Sequence, residues 1–207
     1  MKAVFTARRL NAGHYDDFRK AWEPDEWRAG FAGAYVMRDA GDPDQITVVA
    51  LFDVTDDDAS RLQADLEPSE KARHERMAPH VADTLVSGLF DVAVHEDGGA
   101  TGTQKGVLLT ERMLKPGSFD AYMDAGRQFN ERMGGVPAGI EFMLLKNESN
   151  PDHTIQIGIV RVADMEGFRT SMGSGRQEML DALAPHVASI GLDTAYELIE
   201  EIAPVRV

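Results

Sequence analysis

The chain contains no cysteine. Disulfides, thiolate metal sites, iron–sulfur clusters and a cysteine nucleophile are therefore excluded from its chemistry. A chain without cysteine is also compatible with a reducing compartment, so we expect a cytoplasmic location.

Long apolar runs and positive charge are scarce as well. No apolar stretch reaches the roughly 18 residues that a membrane-spanning helix needs, and the amino terminus lacks the apolar region of a signal peptide. Lysine and arginine number 21 against 35 aspartates and glutamates, which gives a formal charge of −14. Because phosphate binding requires clustered cations, we expect neither nucleic acid nor a membrane as a partner.

Familiar catalytic motifs are also missing. The sequence has no glycine-rich dinucleotide loop, no P-loop, no His-Glu-x-x-His and no Gly-x-Ser-x-Gly. The sequence therefore does not indicate a dinucleotide-binding enzyme, a P-loop enzyme, a zinc protease or an α/β-hydrolase. With 207 residues and a hydrophobic fraction of 43%, the chain is nevertheless long and apolar enough for one large folded domain or two small ones.

What the chain does contain is an internal repeat. The stretch Ala-Pro-His-Val-Ala at 78–82 recurs identically at 184–188, and the stretch at 10–18 resembles that at 114–122. A turn with Asp-Pro-Asp before an apolar run also matches a later turn with Asn-Pro-Asp. Because the matches come in the same order, we interpret the chain as a duplication. The predicted domains are a first repeat at 1–97, a flexible Gly- and Thr-rich linker at 98–104 and a second repeat at 105–207.

Each repeat alternates between strand-like and helix-like apolar patterns. The first repeat predicts strands at 2–10, 34–38, 46–54 and 89–95, with helices at 14–27, from about 56, and at 69–86. The second predicts strands at 106–114, 139–147, 153–163 and 193–201, with helices at 117–133, 164–172 and 175–190. The order β-α-β-β-α-α-β is ferredoxin-like and belongs to the α+β class. Because helices cover such a sheet on one face only, we expect the antiparallel sheets of the two repeats to pack face to face.

Three local features resemble a known superfamily. They are the glycine turn Asn11-Ala12-Gly13 between the first strand and helix, the turn before a long apolar third strand, and the Pro-His stretch before the fourth strand. Together they resemble the dimeric α+β barrels, and among these the antibiotic biosynthesis monooxygenase-like domains. The resemblance covers both repeats and implies an intramolecular dimeric α+β barrel. It implies no single activity, since the superfamily includes cofactor-independent monooxygenases, haem-degrading enzymes and many others.

The resemblance implies, as a first hypothesis, a cofactor-independent monooxygenase that acts on a small aromatic or polyketide-like molecule. The alternatives are a non-catalytic small-molecule-binding barrel and a haem-binding or haem-degrading protein. Haem is disfavoured because the asparagine and tryptophan used by haem-degrading relatives have no match here. We expect no metal or other cofactor, a small-molecule ligand as partner, and a monomer with an internal pseudo-dimer or a further homodimer.

His80 and His186 occupy equivalent positions in the two repeats and are the candidate catalytic residues. If the surrounding segments are helical, each ring borders an apolar stripe that faces the interior. A neutral imidazole at such a position is able to accept a phenolic proton at physiological pH. The alternative is a partly buried histidine that packs in both copies because the duplication retained it.

The first strand of each repeat carries a threonine and an arginine two residues apart. These are Thr6 and Arg8 in the first repeat and Thr110 and Arg112 in the second, and all four are candidate ligand-binding residues. An inward guanidinium must be paired, and an anionic or phenolate ligand would supply the pair. A neighbouring carboxylate is the alternative partner.

Aromatic residues supply the remaining ligand-binding candidates. Trp22 and Tyr122 lie at helical spacing from other apolar residues, where they would form the walls of a pocket for a flat ligand. Aromatic residues in such stripes more often simply form the core, and this alternative stays open.

Overall fold

A computed structural model describes residues 1–24, 27, 30–55, 58 and 71–204. The elements of the first repeat are β1 (Lys2–Leu10), α1 (Tyr15–Trp22), β2 (Phe31–Asp39), β3 (Gln45–Phe52), the helical residues 71–77 of α2, the 3₁₀ helix η1 (Ala78–His80) and β4 (Val81–Asp97). Those of the second are β5 (Gln104–Leu114), α3 (Phe119–Met133), β6 (Ile140–Asn147), β7 (His153–Val162), α4 (Met165–Leu183), η2 (Ala184–His186) and β8 (Val187–Ile202). Among the described helices, none combines the length and the apolar character needed to cross a membrane.

The strands pair in the order β1-β3-β2-β8-β5-β7-β6-β4, and this hydrogen-bonded order closes on itself as a barrel. The pairings are antiparallel: Thr6 of β1 lies opposite Val48 of β3, and Thr110 of β5 lies opposite Gln156 of β7. The central strand β3 is a nearly continuous apolar run, as expected for a strand that is buried on both faces, whereas polar residues such as Gln156 and Arg161 interrupt β7. The predicted α+β class with two ferredoxin-like repeats is confirmed.

The chain divides into two compact units, Met1–Asp91 with Leu198–Val207, and Val92–Glu197. The limits of these units are not those of the repeats, because β4 and β8 are long strands that each contribute residues to both units. The predicted domain limits at 97 and 105 therefore stay a prediction about the repeats.

The helix predicted over 69–86 ends earlier than expected. Residues 71–77 are helical, η1 follows, and Val81 already has the extended backbone of β4. Pro79 explains the early end: it has no amide hydrogen to continue the helix and is tolerated only in the first turn of η1. The β-branched Val81 then favours a strand.

The second repeat follows the same rule with Pro185 in η2. The helices predicted over 164–172 and 175–190 form one helix, α4, which Asp164 caps by accepting a hydrogen bond from the Gly167 amide. His80 and His186 therefore lie where a 3₁₀ helix meets a strand, and not on the apolar stripe of an α-helix.

Two other predicted helices either end earlier than expected or lie outside the described residues. Helix α1 ends at Trp22 rather than at residue 27, and Pro24 follows two residues later. The short helix predicted from residue 56 and the helix start predicted near residue 69 lie outside the described residues, apart from the helical residue 58.

The segment predicted as a flexible linker is held by backbone hydrogen bonds. The Gly98 amide donates to the Ile140 carbonyl at 2.8 Å, and the Thr101 amide donates to the Arg161 carbonyl at 2.9 Å. These bonds fix the segment to β6 and β7, so it is an ordered connection within the second unit.

The helix side of the first unit is filled by aromatic side chains. Phe18, Trp22 and Phe31 are buried there, and Trp27 stacks on Phe31 with the ring centroids 4.0 Å apart. The end of β8 completes this core. Its side chains Ile199 and Ile202 pack against the cluster, and Arg19 of α1 forms an ion pair with Glu200 at 2.8 Å.

A fragment of residues 1–97 lacks the end of β8, and we expect it to self-associate or aggregate because part of its apolar core would be exposed. Size-exclusion chromatography with light scattering, together with thermal unfolding, measures this, with the intact chain as the control. A monomeric fragment that unfolds cooperatively would contradict the prediction.

Candidate functional site

A cavity of about 740 Å³ lies within the second unit and is lined by α3, α4 and strands β4 to β8. Most of its lining side chains are apolar, and its volume falls in the range of pockets that bind small organic molecules. Thr110, Arg112 and Tyr122, three of the predicted ligand-binding residues, all line it.

A buried polar cluster forms one part of the cavity wall. Arg112 is only 1% exposed, and its Nη1 donates hydrogen bonds to the Tyr122 hydroxyl at 3.1 Å and to Gln156 Oε1. The fold brings the three together because Arg112 lies on β5, Gln156 on the neighbouring β7, and Tyr122 on the buried face of α3. Gln156 was not among the site residues predicted from the sequence. A polar amide between Ile155 and Ile157 in a buried strand was nevertheless a signal that pointed to a polar site.

The electrostatics of this cluster are unusual for a buried arginine. In the described part of the chain, no carboxylate forms an ion pair with Arg112. Burial raises the pKa of the Tyr122 phenol above its ordinary value, and the neighbouring Arg112 offsets part of this rise. Tyr122 therefore stays protonated at neutral pH, and the positive charge of Arg112 is not neutralised by it.

A second polar group lies on the same face of β5. The Thr110 hydroxyl donates to Asp193 Oδ1 at 3.0 Å, and Arg176 of α4 donates to the same oxygen at 3.0 Å. Thr110 is paired with Asp193 just before a register shift between β5 and β8, so the bulge brings this carboxylate to the cavity.

Glu111 holds the backbone next to that bulge. Its carboxylate accepts a hydrogen bond from the Leu192 amide at 3.2 Å, and it contacts His153 Nε2 at 2.8 Å. The hydrogen bond with His153 lowers the pKa of Glu111 below its ordinary value, burial opposes this, and the Leu192 amide lowers it further.

The two repeats differ at a position that lines the cavity in the second unit. Gly126 of α3 lies 104 positions after Trp22 of α1, the same separation as between Arg8 and Arg112. Gly126 lines the cavity, and a Cβ atom built on it would come no closer than 4.0 Å to Leu183. Trp22, which is 4% exposed, fills the corresponding place in the core of the first unit.

The polar cluster has also changed between the repeats. Phe18 stands in the first repeat where Tyr122 stands in the second, and Val48 lies opposite Thr6 as Gln156 lies opposite Thr110. Arg8 is conserved between them and buried, with its guanidinium carbon 6.0 Å from the centre of the Phe18 ring. Three predicted ligand-binding residues, Thr6, Arg8 and Trp22, therefore lie in the first unit and do not line the cavity.

The candidate catalytic histidines also lie away from the cavity. His186 is half-buried in η2, its carbonyl accepts a hydrogen bond from the Lys115 amide at 2.8 Å, and its side chain does not line the cavity. In the first unit, His80 contacts His14, with their Nδ1 atoms 3.1 Å apart. His186 is not among the residues that line the cavity with Thr110 and Arg112, and its catalytic role stays a prediction.

Comparison with solved structures identifies the fold. A provisionally named monooxygenase of Fusobacterium nucleatum subsp. nucleatum superposes with a TM-score of 0.72 at 11% identity, over 98% of this chain and 94% of that one. An anthrone oxidase-like protein gives a TM-score of 0.69 at 11% identity, over 98% and 92% of the two chains. A ferredoxin-fold protein of Listeria monocytogenes related to antibiotic biosynthesis monooxygenases gives 0.51 at 10% identity, over 100% and 96%. This chain shares their fold.

The likeness confirms the architecture that the sequence resemblance implied, and at such low identity it shows the fold alone. No protein-family profile and no curated protein sequence matches the chain.

Replacing Gly126 by Trp should abolish ligand binding in the cavity while the protein stays folded, because an indole at this position fills the space as Trp22 does in the first unit. Fluorescence titration with the naphthalene dye 1-anilinonaphthalene-8-sulfonate measures the binding. Gly126→Ala is the matched control: it adds a single methyl group to α3 and should bind the dye like the wild type. Unchanged dye binding by Gly126→Trp would place the dye site elsewhere.

The stability of the protein should depend on Glu111 in a defined pH range. Since the pKa of Glu111 is lowered by folding, its contribution is complete above its ordinary pKa of 4.5 and is lost as the pH falls through the lower folded value. Wild type should therefore lose more thermal stability than Glu111→Gln between pH 5 and about pH 3. If the melting temperatures of the two proteins fall by the same amount over this pH range, the role assigned to Glu111 is contradicted.

Proposed function

We propose that the second repeat is a monooxygenase-like enzyme that oxidises a small aromatic molecule with dioxygen, without a metal or organic cofactor. The observation that carries the proposal is the apolar cavity with buried Arg112 and Tyr122 and half-buried Gln156 in its wall. Fold-level likeness to a provisionally named monooxygenase and to an anthrone oxidase-like protein supports the class of reaction.

The reaction that suits this cavity converts a ring CH₂ or electron-rich ring CH into a carbonyl. For a CH₂ group, the carbon takes one oxygen atom of O₂, and the second oxygen atom leaves as water with the two hydrogens that the carbon loses. For a ring CH of a phenol, one of these two hydrogens comes from the ring carbon and the other from the hydroxyl group, which also becomes a carbonyl. The electrons come from the anionic form of the substrate, so no external reductant is needed.

The residues of the cavity would act mainly through electrostatics and exclusion of water. The charge of Arg112 stabilises an anionic substrate, and burial strengthens this interaction relative to water. Tyr122 is kept protonated, so it serves as a hydrogen-bonding group rather than as the base. The apolar lining replaces water around the reacting ring.

A haem protein is less well supported by the residues present. None of the described residues that line the cavity is a histidine, so the candidate axial ligands His80 and His186 do not meet the cavity. A non-catalytic binding protein uses the same cavity, and turnover distinguishes it from the proposed enzyme.

Oxygen uptake and quinone absorbance with anthrone, 1-naphthol and 1-hydroxy-2-naphthoate test the proposal. We expect the wild type to accelerate at least one of these oxidations above the uncatalysed rate. Arg112→Gln should lose roughly 100-fold in turnover, the scale of losing a group that stabilises developing charge. Gly126→Trp, with its cavity filled, should be inactive. If the oxidation rates of all three compounds equal those of the protein-free control, the proposed enzyme is rejected in favour of a non-catalytic binding protein.

The variant His186→Phe separates the two assignments of catalytic groups. Because the ring does not line the cavity, we expect this variant to keep the turnover of the wild type. A fall of roughly 100-fold, the scale of lost general-base catalysis, would instead support His186 as the base that the sequence suggested.

A further inference from the structure

The Arg112 guanidinium has unused hydrogen-bond donors. An arginine side chain carries five N–H groups, and the acceptors of Arg112, Tyr122 Oη and Gln156 Oε1, both bind Nη1. The N–H groups of Nε and Nη2 have no acceptor among the described residues. Arg112 is 1% exposed and is one of the residues that line the cavity.

These unused donors form one edge of the guanidinium. The Nε–Nη2 edge presents two parallel N–H groups, a spacing that matches the two oxygens of a carboxylate. A phenolate offers only one oxygen, so the two N–H groups must converge on it instead of each donating to an oxygen of its own. The geometry therefore favours a carboxylate over a phenolate as the group bound at this edge.

The charge balance favours the same occupant. Arg112 is charged at every physiological pH, and its two acceptors, a protonated phenol and an amide, are both neutral. A buried charge with no opposite charge is costly, so an anionic ligand would remove an existing penalty. Carboxylates do line the cavity, but Glu96, Glu131 and Glu178 are exposed to water, and Asp193 is bound to Thr110 and Arg176.

We infer that the substrate of the cavity is an aromatic carboxylic acid whose carboxylate binds the Nε–Nη2 edge of Arg112. The aromatic part rests on the proposed function, whereas the carboxylate follows from the arginine alone. Arg112 would then fix the orientation of the substrate, with the ring in the apolar part of the cavity and its acidic group against the buried cluster.

Equilibrium binding of two ligands of equal shape tests the inference without any turnover. Isothermal titration compares 2-naphthoate with the neutral 2-naphthamide on the wild-type protein. We expect the carboxylate to bind about 10- to 100-fold more tightly, the range for a buried hydrogen bond to a charged group. Equal affinities, or tighter binding of the amide, would overturn the inference.

Three variants locate the effect at Arg112. Arg112→Gln should lose that preference for the carboxylate and keep its affinity for 2-naphthamide, whereas Arg112→Lys, which keeps the charge but loses the paired edge, should retain only part of it. Arg169→Gln is the matched control, because Arg169 is exposed on the same repeat and does not line the cavity. Equal weakening of both ligands in Arg112→Gln would mean a structural role and would overturn the inference. If this variant fails to fold, the wild-type comparison and Arg112→Lys still decide.

Further arms separate this inference from the proposed function. Tighter binding of decanoate than of 2-naphthoate would overturn the aromatic part. A preference for 2-naphthoate without oxidation of any test compound would support the carboxylate site and reject the monooxygenase. Oxidation of 1-naphthol without a preference for 2-naphthoate over 2-naphthamide would support the monooxygenase and reject the carboxylate site.

Discussion

A buried positive charge is the constraint around which the second unit is organised. Arg112 is out of contact with bulk water, yet the described residues supply it only with a tyrosine hydroxyl and a glutamine amide. Three elements must hold their positions to provide even these partners: β5, β7 and α3. Arg112 also lines the cavity, so the charge and the open volume share one wall.

The two repeats fill equivalent positions of the same backbone with different side chains. Both repeats keep an arginine at the same point of the first strand, but Phe18 and Val48 of the first repeat stand where Tyr122 and Gln156 stand in the second. In the first repeat an indole occupies the volume that Gly126 leaves open in the second. The first repeat is therefore more densely packed at this position, while the open space in the second repeat lowers the stability of the fold.

Much of the fold was predictable because its signals are local and are repeated. Strand alternation, turn glycines and the duplicated stretches indicate the same architecture twice, and Arg112 and Tyr122 could be selected for their positions. The places where helices end were predictable in principle from Pro79 and Pro185, since proline stops a helix by local sterics. Without this steric rule, the apolar pattern alone predicts both histidines on an α-helix.

The cavity itself could not be predicted from the chain, because it depends on volumes contributed by distant residues. Gln156 becomes informative only when the strand register places it beside Arg112. Gly126 looks like an ordinary helix glycine until its counterpart Trp22 is seen to be buried. Open space is a property of several side chains together, and no single residue encodes it.

The long last strands have a consequence for how such a gene can evolve. Because β4 and β8 each contribute to both compact units, a repeat is not a self-contained cassette. Recombination that exchanged one repeat for a related sequence would replace part of both cores at once. Drift in one copy is therefore restrained by the packing of the other, which helps to explain how two divergent halves remain a single folded chain.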